Sequence, residues 1–388
     1  MKKNLVKTVS KKIQKIIGKG SHQLHEPLFR GREKKYLQDT INQNFVSSTG
    51  QYVNKFEEEI KKFTKAKFAI AVVNGTQAIY IALKVCGIKK NDEVLIPALT
   101  FVATANAVSY LGAQPHFVDS QIENFGIDCA KLEKYLSKIT KFKNNKCINK
   151  HTGKIIKAIV PVHVFGHPCN IRGIIEVAKK FNLIVVEDAA GALGSFYKKK
   201  HLGTFGTIGC FSFNGNKIIT TGGGGMVITN KTSLAKEIKH LTTTAKTKHK
   251  WEYIHDEIGY NFRMPNVNAA LGLAQLEKIK TFIKAKKKLF KKYFNAFHEV
   301  ENISVFEQPN NSDSNYWLQT LVLKQNNIKL KNKILKELHK KSIFARPAWK
   351  LISELKPYKK YQKMDLSGSK EIYDKIINIP SSQSLILK

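Results

Sequence analysis

The sequence predicts an α/β fold with a mostly parallel central sheet covered by helices on both faces. Between residues 68 and 187, short apolar runs alternate with segments of helical periodicity, which is the pattern of βαβ units. Hydrophobic residues make up 42% of the 388 residues, enough for a large core. Beyond Gly259 the pattern becomes helical and then mixed, so we expect a smaller C-terminal α/β domain.

The predicted elements follow one another along the chain. A basic insert, Lys138–Lys154, interrupts their rhythm and is expected to be a surface excursion. The predicted strands are Phe68–Val73, Glu93–Ile96, Gln114–Val118, Ile155–Val162, Leu183–Glu187, Ile208–Phe213 and Met226–Thr229. The predicted helices are Asn74–Val85, Phe101–Leu111 and Ile171–Phe181, with two helices joined by a polar turn over 31–67 and one or two helices over 266–297.

The first twenty residues are basic and contain no acidic residue. Leu5, Val9, Ile13 and Ile16 recur at helical spacing, which predicts an amphipathic helix. Such a helix can lie on an anionic membrane or pack its apolar face on its own domain. Packing is the commoner arrangement, and we expect it here.

The net charge of +37 is spread along the whole chain. Without a zinc-finger, RNP or helix-turn-helix signature, this charge does not indicate nucleic-acid binding, and it favours acidic small molecules. No apolar run approaches the ~20 residues that cross a bilayer, and the start lacks the apolar region of a signal peptide. Five scattered cysteines fit reduced thiols in a cytoplasm and offer no metal-ligand spacing, so we expect no metal site.

One lysine is distinguished by its surroundings. Lys217 lies between the apolar strands Ile208–Phe213 and Met226–Thr229 and just before four glycines, Gly222–Gly225. Glycines let a backbone approach a ligand closely. Among apolar neighbours the lysine would lose solvation, titrate at a lower pH and act as an amine nucleophile toward a carbonyl. The alternative is an exposed hairpin with a surface lysine.

Polar or aromatic residues that follow other strands complete a candidate site. Gly75 and Thr76 at a helix start suit a phosphate, although such a sequence also serves as a plain helix cap. Asp188 closes a buried strand, where it needs a cation or a strong donor, or caps a neighbouring helix. Ser212 and Phe101 follow two more strands, and the carboxyl ends of parallel strands share one edge. Phosphate anchor, aromatic face, carboxylate and lysine are what pyridoxal 5'-phosphate (PLP) requires.

Six stretches match a known pattern: NGTQA (Asn74–Ala78), PALTFVATANAV (Pro97–Val108), PVHVFGHP (Pro161–Pro168), EDAAGALGS (Glu187–Ser195), FSFNGNKIITTGGGGM (Phe211–Met226) and GYNFRMPNVNAALG (Gly259–Gly272). By these stretches the sequence resembles the sugar aminotransferases of the DegT/DnrJ/EryC1/StrS family, which are fold type I PLP enzymes. The resemblance covers residues 28–382. It implies that Lys217 binds the aldehyde of PLP covalently, that Asp188 pairs with the pyridine nitrogen and that Phe101 lies over the ring. It also implies that the phosphate is held by Gly75, Thr76, Ser212 and, from the neighbouring subunit, Asn261.

A contact from the neighbouring subunit implies a homodimer in which two chains share each site. His163 and Arg346 are weaker candidates for substrate contacts. We expect a basic N-terminal helix within residues 1–27, a large PLP-binding domain over 28–255 and a small C-terminal domain with dimer contacts over 256–388. The family often has glutamine where this chain has Gly191, which puts a hydrogen bond to the cofactor's ring hydroxyl in doubt.

The stretches LHEPLF, VSSTGQYV, NGNKIITTGGGGM and ARPAWKLISEL are similar to one branch, the LegC-type aminotransferases of legionaminic and other nonulosonic acid synthesis. This similarity implies transfer of an amino group from L-glutamate to a UDP-linked 4-keto-6-deoxy-N-acetylhexosamine. A GDP- or dTDP-linked ketosugar is the alternative within the family. Relatives that dehydrate sugars have histidine in place of the lysine, so Lys217 favours transamination. The alternative of another class is a non-catalytic basic protein that binds membrane or nucleic acid and retains the fold.

Overall fold

The computed structural model describes residues 2–387, and for side chains residues 5–387. Met1 and Lys388, at the outer ends of the predicted N- and C-terminal units, lie outside this range. The α-helices are α1 (Lys2–Ile17), α2 (Glu33–Asn42), α3 (Gln51–Thr64), α4 (Gly75–Val85), α5 (Ala103–Tyr110), α6 (Cys129–Ile139), α7 (Ile171–Lys180), α8 (Thr232–Thr242), α9 (Asn266–Glu277), α10 (Ile279–Phe297), α11 (Ile328–Lys340) and α12 (Ser367–Lys375). The strands are β1 (Phe68–Val72), β2 (Glu93–Pro97), β3 (Gln114–Val118), β4 (Thr140–Lys143), β5 (Lys146–Asn149), β6 (Ile156–Ile159), β7 (Ile184–Asp188), β8 (Phe196–Tyr197), β9 (Lys200–His201), β10 (Ile208–Ser212), β11 (Gly225–Thr229), β12 (Ile303–Val305), β13 (Ser312–Asp313), β14 (Gln319–Leu323), β15 (Arg346–Pro347) and β16 (Ile376–Ile379).

The central sheet has seven strands in the order β1-β11-β10-β7-β6-β2-β3. The strands from β10 to β3 run parallel. Strand β11 runs antiparallel between β1 and β10, with Cys210 opposite Val227. The predicted α/β class is therefore confirmed, and the two strands that flank Lys217 pair with each other.

Apolar side chains from both faces of this sheet are buried against helices. One cluster joins β1, β2 and β10 to α4, α5 and α8. A second, on the opposite face, joins β1, β10 and β11 to α3 and α9. Because both faces are covered, strands of this sheet include continuous apolar runs such as Met226–Ile228.

The basic insert is less peripheral than predicted. It forms the hairpin β4–β5, and Asn149 at its end is fully buried. Asn149 Nδ2 donates to Glu93 Oε2 at 2.9 Å, and His116 Nδ1 bonds the same carboxylate at 2.8 Å. Burial raises the pKa of Glu93, but the hydrogen bonds from His116 and Asn149 lower it more, so the carboxylate stays charged. The insert therefore supplies a partner that a buried strand carboxylate needs.

The C-terminal residues form a four-stranded sheet in the order β12-β14-β16-β15. Helices α10 and α11 pack on it, and α1 packs in turn against both helices. Val9 and Ile13 of α1 are fully buried in this core. The expectation that the N-terminal helix packs its apolar face on the protein is confirmed.

Candidate active site

One cavity of about 310 Å³ lies at the edge of the central sheet where β1, β7 and β10 end. Two sequence-predicted residues, Asn261 and Arg346, do not line it. The others all do: Gly75, Thr76, Phe101, His163, Asp188, Ser212 and Lys217. The fold thus brings together side chains that are scattered over 143 positions of the sequence (217 − 75 + 1).

The N-terminus of α4 meets the end of β10 at one side of the cavity. Asn74 caps the helix by accepting a hydrogen bond from Gln77 N–H at 2.8 Å. The amides of Gly75 and Thr76 precede that point and have no acceptor within the helix. A Cβ on Gly75 would lie 2.7 Å from Ser212 Cβ, so only glycine lets the helix start approach Ser212 this closely. The result is a cradle of amides and a hydroxyl with the positive end of a helix dipole, which suits a phosphate.

Asp188 ends β7, next to β10 in the sheet, and is buried. Its Oδ2 accepts a hydrogen bond from Thr104 Oγ1 at 2.7 Å, and its Oδ1 accepts one from Ala190 N–H at 3.1 Å. Among residues 5–387, no cationic side chain lies within ion-pair distance of this carboxylate. A buried carboxylate with neutral donors only is ready for a cationic group from a ligand, such as the protonated nitrogen of a pyridine ring.

The amine of Lys217 faces the same cavity. Burial lowers its pKa to about 8, while the charge of Asp188 acts in the opposite direction. Its Nζ lies 3.7 Å from the centroid of the Trp317 ring. A lysine with a lowered pKa that faces a cavity can act as an amine nucleophile, the role that the sequence predicts for it.

Trp317 was not predicted as a site residue. It explains why a side chain at position 191 would not fit. A Cβ on Gly191 would lie 2.3 Å from Trp317 Cε3, so the indole fills the space beside this glycine. Trp317 Nε1 donates to the carbonyl oxygen of Asn216 at 2.7 Å, next to Lys217. Where the family often has glutamine, this chain has Gly191, and the Trp317 ring occupies the space that a side chain at position 191 would need.

Aromatic rings form the remaining wall of the cavity. Phe101 is 55% exposed, and its ring centroid lies 6.3 Å from that of Trp349. The Trp349 ring in turn lies 4.9 Å from Phe165. Neither Trp349 nor Phe165 was predicted as a site residue, although Phe165 lies in the family stretch PVHVFGHP and Trp349 in the branch stretch ARPAWKLISEL. Flat apolar faces of this kind suit a pyridine ring or the carbon face of a sugar.

His163 lines the cavity, but both of its ring nitrogens are engaged. Nδ1 accepts a hydrogen bond from Cys169 N–H at 3.3 Å, so Nε2 carries the proton and donates to Glu187 Oε2 at 3.1 Å. Burial raises the pKa of Glu187, but His163 and backbone amides lower it more. Only the face of the His163 ring is left for a ligand. The amides that bond Glu187 are those of Gly203, Phe205 and Gly206.

Two predicted residues point elsewhere within this single chain. Arg346 is exposed on the short strand β15, opposite Asn378. Asn261 is exposed and forms an isolated bridge with Thr243. Near it, His240, Asp256 and Glu257 bring their ligand atoms within 4.8 Å of one another at the surface, outside the cavity.

The residues present fit PLP. The cradle at α4 suits its phosphate, the buried carboxylate of Asp188 suits its ring nitrogen, and the Lys217 amine lies in the same cavity. Phe101 offers a ring face at the mouth. Together with the parallel sheet, these groups define a PLP-dependent enzyme of fold type I.

Comparison with known proteins agrees with this class. Residues 28–387 match the DegT/DnrJ/EryC1/StrS aminotransferase family. The chain belongs to this family and is a PLP-dependent sugar aminotransferase. No helix among the described residues is long and apolar enough to cross a membrane.

Three relatives illustrate the range of the family. GDP-perosamine synthase of Escherichia coli O157:H7 is 37% identical over 368 residues, which cover 93% of each chain. UDP-N-acetyl-3-dehydro-alpha-D-glucosamine 3-aminotransferase of Acidithiobacillus ferrooxidans is 34% identical over 224 residues, 57% of this chain and 55% of that one. The crystal structure of Helicobacter pylori PseC, an aminotransferase involved in the biosynthesis of pseudoaminic acid, superposes with a TM-score of 0.83 at 27% identity, covering 93% of this chain and 94% of that one.

Proposed function

We propose that this enzyme transfers the amino group of L-glutamate to the C4 ketone of a nucleotide-linked 4-keto-6-deoxy sugar. The observation that carries the proposal is that Lys217 and Asp188 line the same cavity and that the pKa of the lysine is lowered to about 8. For PLP chemistry the protein must supply an amine that is partly unprotonated near neutral pH and a fixed negative charge. Free cysteines and a substrate that is a nucleotide sugar favour the cytoplasm as its location.

Each residue of the cavity has a proposed task. When bound, PLP supplies an aldehyde and an electron-withdrawing ring that carry an amino group from one substrate to the other. Gly75, Thr76 and Ser212 hold the phosphate, and Phe101 covers one face of the ring. Asp188 keeps the ring nitrogen protonated. Its own position is fixed by the donors Thr104 and Ala190.

Lys217 is proposed both to anchor the cofactor and to move a proton. When it is not bonded to the cofactor, its Nζ would accept the proton from the substrate carbon that bears the amino group and would donate this proton to the cofactor. A lowered pKa helps because only the unprotonated amine can accept that proton. Lys217→Ala should therefore abolish the visible absorbance of the bound cofactor and the turnover, while circular dichroism shows the fold retained. Substantial activity in this variant would assign the chemistry to another lysine.

Asp188→Asn tests the partner of the ring nitrogen. The change keeps size and hydrogen-bonding shape but removes the charge that holds the ring nitrogen protonated. We expect kcat to fall by about 10²-fold or more, as for loss of a main electrostatic contact in other active sites. The measurement is the single-turnover rate with L-glutamate alone. A wild-type rate would show that Asp188 is only a structural carboxylate.

The sugar acceptor has two candidates, each with its own support. The resemblance to LegC-type enzymes supports a UDP-linked 4-keto-6-deoxy-N-acetylhexosamine. A relative that covers 93% of the chain, GDP-perosamine synthase, supports a GDP-linked 4-ketosugar. The net charge of +37 suits the diphosphate of either nucleotide.

The acceptor is tested by offering UDP-, GDP- and dTDP-linked 4-keto-6-deoxy sugars to the PLP-loaded enzyme with L-glutamate. Mass spectrometry identifies the amino sugar nucleotide, and 2-oxoglutarate reports the donor half of the reaction. Preferential amination of the UDP-linked N-acetyl sugar supports the first candidate, and preference for the GDP-linked sugar supports the second. Formation of 2-oxoglutarate without amination of any of these sugars would overturn the proposed acceptor class.

We also propose that the enzyme is a homodimer with shared sites. The segment before Asn261 exposes large apolar side chains: Trp251 is 74% exposed, Tyr253 79% and Ile258 86%. A contiguous apolar surface on one short segment marks a protein contact. If a second copy of the chain covers this segment, the Asn261 of each copy would come near the cavity of the other copy, as the resemblance implies.

A further inference from the structure

Three adjacent helices present one basic face. Helix α1 packs against both α10 and α11 on the outer side of the four-stranded sheet. On each helix the exposed lysines recur every three or four residues, so they share one side. They are Lys7, Lys11 and Lys15 on α1, Lys280, Lys284, Lys288, Lys291 and Lys292 on α10, and Lys329, Lys333, Lys336 and Lys340 on α11.

This face has few carboxylates to accompany its lysines. Helices α1 and α10 contain no aspartate or glutamate and α11 contains one, Glu337, whereas α3 alternates them with lysines in pairs such as Lys61–Glu58. Lys287 of α10 pairs with Asp313, and Glu337 lies 3.8 Å from Lys341. Among the described residues, none of the twelve lysines just named forms an ion pair. Like charges on a folded surface repel each other, so such a face is unfavourable until an anionic partner neutralises it.

The shape and chemistry of the face indicate what that partner is. Its apolar side is already used, because Val9 and Ile13 are buried in the core, so α1 has little left to insert into a partner. Of the large apolar side chains that are exposed among residues 5–387, only Ile328 belongs to these three helices. Among the side chains of residues 5–387, these helices carry no large exposed aromatic ring on which bases of a single-stranded nucleic acid could stack. Helix α10, with 19 residues, is about 28 Å long, so the lysines form an extended array and not a small-molecule pocket.

We propose that the face formed by α1, α10 and α11 docks the enzyme on an anionic lipid bilayer surface. The contact is electrostatic and peripheral, with the helices remaining packed on their own sheet. A lysine near such a surface strengthens binding about fivefold, and the attraction is screened over about 8 Å at physiological salt. Binding should therefore need several lysines at once and should fall steeply as salt is raised.

The test uses the full-length, PLP-loaded enzyme and sedimentation with large vesicles. Vesicles containing about one third phosphatidylserine in phosphatidylcholine should bind the enzyme at low ionic strength and release it at roughly 0.5 M salt, where the screening length is only a few Å. Vesicles of phosphatidylcholine alone should not bind it. The variant K284Q/K288Q/K291Q/K292Q removes four charges from α10 and should weaken binding by about 10²-fold or more, since four contributions of about fivefold each multiply to about 600-fold.

The matched control removes four exposed lysines elsewhere. K134Q/K141Q/K143Q/K146Q changes the net charge by the same amount, on α6 and the β4–β5 hairpin, and should bind anionic vesicles nearly as well as wild type. None of these lysines lines the cavity, so both variants should retain amino transfer from glutamate, which also shows that they are folded. The double variants K284Q/K288Q and K291Q/K292Q serve if the quadruple change unfolds the protein.

Two outcomes would overturn the proposal. An equal loss of binding in the α10 variant and in the control would mean that total charge, and not this face, attracts the membrane. Binding of a duplex DNA oligonucleotide that depends on Lys284 and its neighbours, with anionic vesicles left unbound, would assign the face to nucleic acid.

Discussion

The amine of Lys217 is controlled by neighbours that act in opposite directions. Burial lowers its pKa to about 8, and the carboxylate of Asp188 raises it. At pH 7 this pKa leaves roughly a tenth of the amine unprotonated, against less than about a thousandth for an ordinary lysine. The Trp317 ring, 3.7 Å from Nζ, adds an attraction for the protonated form.

We predict that Asp188→Asn lowers the pKa of Lys217 below about 8 in the cofactor-free protein. The variant removes the charge that favours the protonated amine, so the reactive neutral amine appears at lower pH. The rate of Lys217 acetylation, followed by peptide mass spectrometry from about pH 6 to about pH 10, gives the midpoint. Thr104→Val is the control, because it removes the hydroxyl that donates to Asp188 but keeps the charge. An unchanged midpoint in Asp188→Asn would contradict this electrostatic coupling.

The contact between Gly191 and Trp317 predicts a second effect at residue scale. In Gly191→Ala the new Cβ would lie 2.3 Å from Trp317 Cε3, so the indole must move away from Lys217 and Asn216. We expect a stability loss of about 1–3 kcal/mol, typical of overpacking, together with a shift in tryptophan fluorescence. Gly215→Ala is the matched control, because a Cβ there meets nothing within 4 Å.

Combining Gly191→Ala with Trp317→Ala decides between two explanations of that loss. If the clash with the indole is the cause, the second change relieves it, and the double variant is more stable than the sum of the single effects implies. Additive losses would mean that Gly191 is needed for its backbone and not for the space beside it.

At the scale of elements, the strands of the central sheet were predictable because most of them are apolar runs that alternate with segments of helical periodicity. Predicted and observed bounds of Gln114–Val118 coincide, and the region Asn266–Phe297 divides into α9 and α10 at Lys278. The burial of Asn149 was not predictable, because a polar, basic insert has no local signal that one amide will bond Glu93. Its partner is 56 positions away in sequence.

The same reasoning explains which site residues the sequence revealed. Residues of the phosphate cradle and Lys217 lie in short motifs with recognisable chemistry, so they could be named before their geometry was known. Trp317 bonds the carbonyl of Asn216 from 101 positions away, and Thr104 reaches Asp188 from 84. These contacts form when the four-stranded sheet and α5 pack against the central sheet. A local sequence pattern therefore cannot predict them.

Helix α1 is an element whose contribution to stability can be separated from catalysis. Ile13 is fully buried between α10 and α11, and no residue of α1 lines the cavity. Ile13→Ala should cost about 2–5 kcal/mol of stability through lost burial and a residual cavity. At a temperature where the variant is folded, kcat should stay within about twofold of wild type, as expected for a change outside the site.

Thermal denaturation and steady-state kinetics measure the two quantities. The control is Lys11→Ala, which alters an exposed position of the same helix and should change stability by less than about 0.5 kcal/mol. Deletion of residues 2–20 should likewise retain the chemistry and lose stability. A fall in kcat of the folded protein would show instead that α1 contributes to the site.

At the scale of the whole molecule, the single chain leaves its apolar segment around Trp251 and Ile258 uncovered. We predict that the enzyme sediments as a dimer at micromolar concentration and that Ile258→Lys produces monomer. The introduced charge would be buried without a partner in the interface, which disfavours association. Phe142→Lys, at a 52% exposed position on the β4–β5 hairpin, is the control and should leave the dimer intact. An active wild-type monomer would refute shared sites.

Mixing two inactive variants tests whether Asn261 serves the partner's cavity. Lys217→Ala removes the amine, and Asn261→Ala removes the proposed phosphate contact from the other subunit. In a mixed dimer, one site combines the Lys217 of one chain with the Asn261 of the other and is intact, while the second site carries both defects. Random pairing makes half of the dimers mixed, each with one intact site of two, so about a quarter of wild-type activity should return. If Asn261 acted within its own chain, every site in the mixture would carry a defect, and no activity would return beyond that of the separate variants.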